Sequence, residues 1–121
     1  MYDEEKKKRL IKKEKKRLER IYGELADEKK SSVSGLIERA AFLRVSLEEI
    51  EIDLDENGYT EKFSQGNQEP YDRKRPVAEI YNSYNGTYLK IMKQLSDMLP
   101  KEQLEKKEDS DGFDEFVMGR S

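Results

Sequence analysis

The chain has 121 residues, of which 42% are charged and only 34% apolar, with a net charge of −3. That length supports one domain at most, and a self-sufficient globule carries about 45–50% apolar and about 25% charged residues. The shortfall implies that part of the chain is disordered and that copies of it complete one another's core. There is no cysteine and no histidine, which excludes disulfides, thiolate nucleophiles, imidazole acid–base chemistry and nearly all zinc sites.

The N-terminus is too charged for a signal peptide, and no apolar run approaches the ~18 residues that span a membrane. A soluble intracellular protein with no membrane partner and no cofactor is expected. The charge is unevenly placed. Residues 1–20 hold ten Lys or Arg and five acids, so they carry +5 and the rest carries −8. One end is suited to a polyanion that the body would repel.

The predicted class is all-α. It comprises a basic helix within 1–30, a helical hairpin core over 31–100 whose helices are joined by a long loop or small β-hairpin, and a flexible tail over 101–121. Residues 3–29 read as a helix, with Asp3, Glu4 and Glu5 in its first turn where acids complement the helix dipole. Apolar positions are sparse at first, Leu10 and Ile11, then tighten to Leu18, Ile21, Tyr22 and Leu25. The second half therefore packs on something and the first half projects into water. Gly23 is a point where this helix bends or frays. Lys6, Lys7, Lys8, Arg9, Lys12, Lys13, Lys16 and Arg17 are candidate phosphate contacts. The competing reading is a solvated charged face. A membrane-surface helix is disfavoured by the thin apolar stripe.

Lys30-Ser31-Ser32 reads as a break with an N-cap. Val33, Leu36, Ala40, Leu43, Leu47, Ile50 and Leu54 then step by 3, 4, 3, 4, 3, 4, a three-heptad seam. Ile37, Ala41 and Phe42 broaden it. Ser46 to Glu49 has the form of a capping box and so marks a kink or restart, but the seam keeps its phase there, which favours one helix. Asn57-Gly58 is a stop signal. The acids Glu48, Glu49, Glu51, Asp53, Asp55 and Glu56 read as a solvated face rather than a metal site.

Residues 59–75 form a polar connection. Thr60–Gln65 and Tyr71–Lys74 suit a short hairpin around Gly66-Asn67. Its end supplies a second basic cluster, Arg73, Lys74 and Arg75, for which a generic loop is the alternative. After Pro76, a residue suited to a first helical turn, Val77, Tyr81, Tyr84, Tyr88, Ile91, Leu95 and Met98 form a second three-heptad seam that ends at Pro100. Ile80, Met92 and Leu99 widen it. Leu36, Ala40, Leu43, Leu47, Ile50, Tyr81, Tyr84, Tyr88, Ile91 and Leu95 are the expected contacts for assembly. The tyrosine hydroxyls suit polar partners at the rim of a helix contact.

In the tail, Lys101 to Asp111 has one apolar residue, Leu104. Phe113, Phe116 and Val117 then stand among acids at helical spacing, which suits a peptide docking in a partner's groove. Packing back on the domain is the alternative. No phosphate-cradling glycine loop, nucleophile elbow or metal spacing occurs. A non-enzyme is expected.

The stretch Leu36 to Glu49, the stretches Ala78 to Asn82 and Tyr88 to Pro100, and the C-terminal Asp111 to Val117 follow one another in a distinctive order. In that combination the chain resembles the small terminase subunits of tailed bacteriophages, in the short group without an obvious N-terminal helix-turn-helix domain. The resemblance covers nearly the whole chain. It implies a DNA-packaging role in the cytoplasm of the bacterial host and absence from the mature virion. It also implies a ring of copies that binds viral double-stranded DNA, and that recruits and modulates a large terminase subunit carrying the ATPase and nuclease. The competing function is a coiled-coil adaptor or scaffold that binds no DNA and captures a partner through its terminal Phe peptide. An enzyme working through the acidic face comes third.

Overall fold

The structure is a computed structural model that describes residues 1–22 and 30–99. Helix α1 spans Glu4–Tyr22, α2 Lys30–Asn57 and α3 Pro76–Asp97, and the strands β1 Thr60–Phe63 and β2 Tyr71–Lys74 lie between α2 and α3. The class is all-α with one small two-stranded sheet. Gly23, Leu25, Pro100 and the tail with Phe113, Phe116 and Val117 lie outside the described residues.

Asp3 stands ahead of α1 as its cap. Its Oδ1 accepts from the Lys6 backbone N–H at 2.8 Å and its carbonyl from that of Lys7 at 2.9 Å, satisfying donors that the first turn leaves orphaned. Ser31 and Ser32 lie inside α2 rather than ahead of it. No capping box forms at Ser46 to Glu49 either. Both end residues are buried mid-helix, because the unbroken seam holds α2 straight through them. At the helix end, Gly58 takes φ +80° and its N–H reaches Leu54 O at 2.8 Å, a left-handed exit that glycine adopts without steric cost.

α1 runs antiparallel to α2, since Lys7 meets Glu49 and Lys15 meets Glu38. α3 runs antiparallel to α2 in turn, since Tyr81 meets Glu51 and Tyr88 meets Arg44. The larger core cluster joins all three helices through Leu18, Tyr22, Ile37, Ala40, Ile91 and Leu95, among others. A smaller one, Ile50, Leu54 and Ala78, closes the hairpin end.

Two expectations change here. The first half of α1 does not project into water. Ile11 packs against the core, and the Lys7 ammonium stands 5.0 Å from the Phe42 ring centre and 3.2 Å from Glu49 Oε1. Long Lys stems cover apolar surface while keeping their charge near water, so this half docks without an apolar stripe of its own. The seams, secondly, are spent within the chain. Ala40, Leu43, Leu47, Ile50, Ile91 and Leu95 are buried in the single chain, while Leu36, Tyr84 and Tyr88 pack on its core and Tyr81 on the smaller cluster. An antiparallel hairpin with matching seams thus buries much of its own stripe, and Leu36, Tyr81, Tyr84 and Tyr88 stay half-buried at its edge.

β1 and β2 pair antiparallel, from Thr60 with Lys74 to Phe63 with Tyr71. Gly66, at φ +63°, turns the connecting loop. Phe63 and Tyr71 meet edge to face at 5.9 Å, and the Arg73 guanidinium lies 3.7 Å from the Phe63 ring centre. A lone ribbon is marginal in water. This one is tied to α2 and α3 by Arg75, whose N–H donates to Tyr59 O at 2.8 Å.

Candidate nucleic-acid interface

The cations of α1 divide into two sets according to their partners. Lys7 faces Glu49, Lys8 pairs with Glu4, and Arg17 donates from Nε and Nη2 to both carboxylate oxygens of Glu14 at 2.8 Å. Lys6 lies over the Tyr2 ring at 4.8 Å. Arg9, Lys12, Lys13 and Lys16 have no carboxylate partner among the described residues. Arg9, Lys13 and Lys16 are spaced 4 and 3 apart, so they form one ridge of the helix. The docked face is held by Ile11 and Leu18, and Arg9, Lys12, Lys13 and Lys16 are exposed. The ridge rises ~10 Å from Arg9 to Lys16.

The second basic cluster is different. Arg73 bonds Glu61 at 2.6 Å, Lys74 pairs with Glu79 at 3.1 Å, and Arg75 reaches Asp53 at 3.0 Å and Gly58 O at 2.8 Å. Each cation has a carboxylate of the same chain, and Arg75 is largely covered. Arg73 ties the two strands together and Lys74 and Arg75 tie the ribbon to the helices, so the three are not a patch of free charge. The basic residues expected to act together are thus separated into an exposed set on α1 and a neutralised set at the hairpin.

The tyrosines are rim residues of the α2–α3 contact. Tyr81 donates to Glu51 Oε2 at 2.8 Å, and Arg44 Nη1 donates to the Tyr88 hydroxyl at 3.4 Å. The Glu51 hydrogen bond, and after it burial, hold the Tyr81 hydroxyl above its ordinary pKa of 10.0. Tyr84 sits 6.4 Å from Phe42, ring to ring. Of the acids on α2, Asp53 is held below the usual carboxylate range by its hydrogen bonds from Asn57 and Arg75. Glu49 is buried with Oε1 3.2 Å from Lys7 yet outside hydrogen-bonding geometry, and the buried Ser46 Oγ has no partner among the described residues. No three acids converge in a way that would hold a metal ion there.

Arg44 and Arg39 were missed as candidate cations. Each is one charge set beside an apolar seam, and only the pairing of α1 with α2 brings Arg44 to the groove that Lys13, Lys16 and Arg17 line. No family model, curated protein or solved structure matches the chain.

Proposed function

We propose that the chain is a small terminase subunit of a viral DNA-packaging motor. In this reading it assembles as a ring, binds viral double-stranded DNA through α1, and recruits the large ATPase and nuclease subunit through Phe113, Phe116 and Val117. The observation that carries the DNA part is the exposed set Arg9, Lys12, Lys13 and Lys16, whose charges no carboxylate of the described chain offsets. Such a row neutralises phosphates and releases counterions, with no reading of sequence. A ring would repeat the row once per copy and convert a weak contact into avidity.

The test is duplex binding across a salt series. The slope of log affinity against log salt falls by about 0.9 per phosphate neutralised. Replacing Lys12, Lys13 and Lys16 by Glu flattens that slope, and an unchanged slope removes α1 from the interface. Light scattering tests the assembly, for which Ile80 and Leu89 of α3, with Phe42 and Ile52 of α2, are exposed apolar positions. A monomer at working concentration counts against the ring.

Those same residues support the second reading, an adaptor that binds protein alone. Leu89 is 58% exposed in the middle of α3. That reading predicts no duplex binding at moderate salt.

A further inference from the structure

The groove between α1 and α2 is lined by Lys13, Lys16, Arg17 and Glu14 on one side and by Arg44 and Glu48 on the other. Its acids are already engaged. Both oxygens of Glu14 accept from Arg17, and Glu48 Oε1 accepts from Arg44 Nε at 3.2 Å. Three of its cations, Arg44, Lys13 and Lys16, have donors to spare. Arg44 uses Nε on Glu48 and Nη1 on the Tyr88 hydroxyl, the latter at 3.4 Å, and Nη2 has no acceptor among the described residues. A guanidinium offers five N–H donors in a planar fork that fits two oxygens of one phosphate. Lys13 and Lys16 stand on the same groove without an acid.

We propose that this groove seats a phosphodiester of bound DNA, gripped by Arg44 from α2 and by Lys13 and Lys16 from α1. The inference rests on the DNA-binding reading and deepens it. The exposed ridge alone offers point charges on one helix. Arg44 adds a directional contact from a second helix, so the phosphate bridges α1 to α2. A polyanion with regularly spaced charges suits the site better than an acidic peptide, because Arg9 and Lys12 continue the positive charge along α1 beyond the groove. The contact is to backbone and supplies affinity, not sequence choice.

The experiment is a salt series with a fluorescent duplex of arbitrary sequence on the full chain. Arg44→Gln flattens the slope by about 0.9, with helical content unchanged. Arg44→Lys restores the slope, since a point charge still neutralises one phosphate, but binds more weakly than the wild type. Glu48→Gln moves the result the other way. It removes a negative charge from beside the guanidinium, tightens binding several-fold, and so cannot be mistaken for a folding defect. A wild-type slope in Arg44→Gln together with unaltered affinity in Glu48→Gln overturns the groove and leaves the ridge of α1 standing. Absence of duplex binding by the wild type, or capture of a poly-glutamate peptide in its place, overturns both.

Discussion

Arg75 holds Asp53 with one nitrogen placed between both carboxylate oxygens, 3.0 Å from each, while its other terminal nitrogen donates to Gly58 O at 2.8 Å. One side chain thereby joins the start of α3 to the last turns of α2 and to the exit glycine. The same Asp53 accepts from Asn57 at 2.6 Å. These hydrogen bonds favour the carboxylate and lower its pKa below 3.8.

A depressed folded-state pKa gives stability that is present above the unfolded value and is lost as pH falls through the folded one. Asp53 therefore contributes at neutral pH, and its contribution begins to fall below about pH 4 and is lost as the pH drops through the lowered folded-state value. Asp53→Asn is expected to be less stable than the wild type at pH 7 and to show a shallower loss of stability on acidification. Denaturant melts at a series of pH values measure this. Parallel acid profiles for the two proteins would dismiss the contact as a contributor.

Tyr81 gives the opposite sign at the other end of the scale. Its hydroxyl is raised above 10.0 because it donates to Glu51. A raised folded-state pKa contributes stability that is complete below the unfolded value and is lost as pH climbs through the folded one. Above about pH 10, a tyrosinate would face the Glu51 carboxylate. Tyr81→Phe is expected to lose stability less steeply there than the wild type. Ultraviolet titration of the phenols should also lose a component that titrates above the ordinary phenol range in that variant, and a titration curve of unchanged shape would refute the assignment.

The two seams, the continuity of α2 and the hairpin around Gly66 were legible because each rests on local periodicity or turn chemistry. Stepping by 3 and 4 names a helix face without any knowledge of its partner. What that spacing does not name is the partner, and here Ala40, Leu43, Ile91 and Leu95 meet within one chain. The docking of the first half of α1 was hidden because Lys7 makes contacts there with Glu49 and Phe42, and a charged residue leaves no mark in an apolar pattern. Arg73, Lys74 and Arg75 looked like a free cluster because Glu61, Glu79 and Asp53 lie between 5 and 22 positions away along the sequence. Proximity in space, not composition, decides whether such a cluster has charge to offer.

Docking of α1 carries its own prediction. Leu18 is fully buried in the cluster that includes Ile91 and Leu95 of α3. Leu18→Ala should cost about 2–5 kcal/mol, the range for a buried leucine with partial collapse of the cavity. The exposed pair Lys15–Glu38 should contribute under about 1 kcal/mol, so Lys15→Ala serves as the comparison. Chemical denaturation separates the two. A loss below about 1 kcal/mol for Leu18→Ala would mean that α1 is not docked in solution, and the groove with Arg44 would open with it.

Ser46 supplies the last case, in which a truncation stabilises. Its Oγ is buried in the middle of α2 with no partner among the described residues. A buried hydroxyl without a hydrogen bond costs about 1–3 kcal/mol of desolvation, and Ala is also the better helix former by roughly 0.5 kcal/mol. The lost volume is a single oxygen, too little to leave a sizeable cavity. Ser46→Ala is therefore expected to raise the unfolding free energy by about 1 kcal/mol or more, read as a higher denaturant midpoint at unchanged slope. A fall of similar size would show that the hydroxyl is satisfied, by a bound water or by a residue of a second copy.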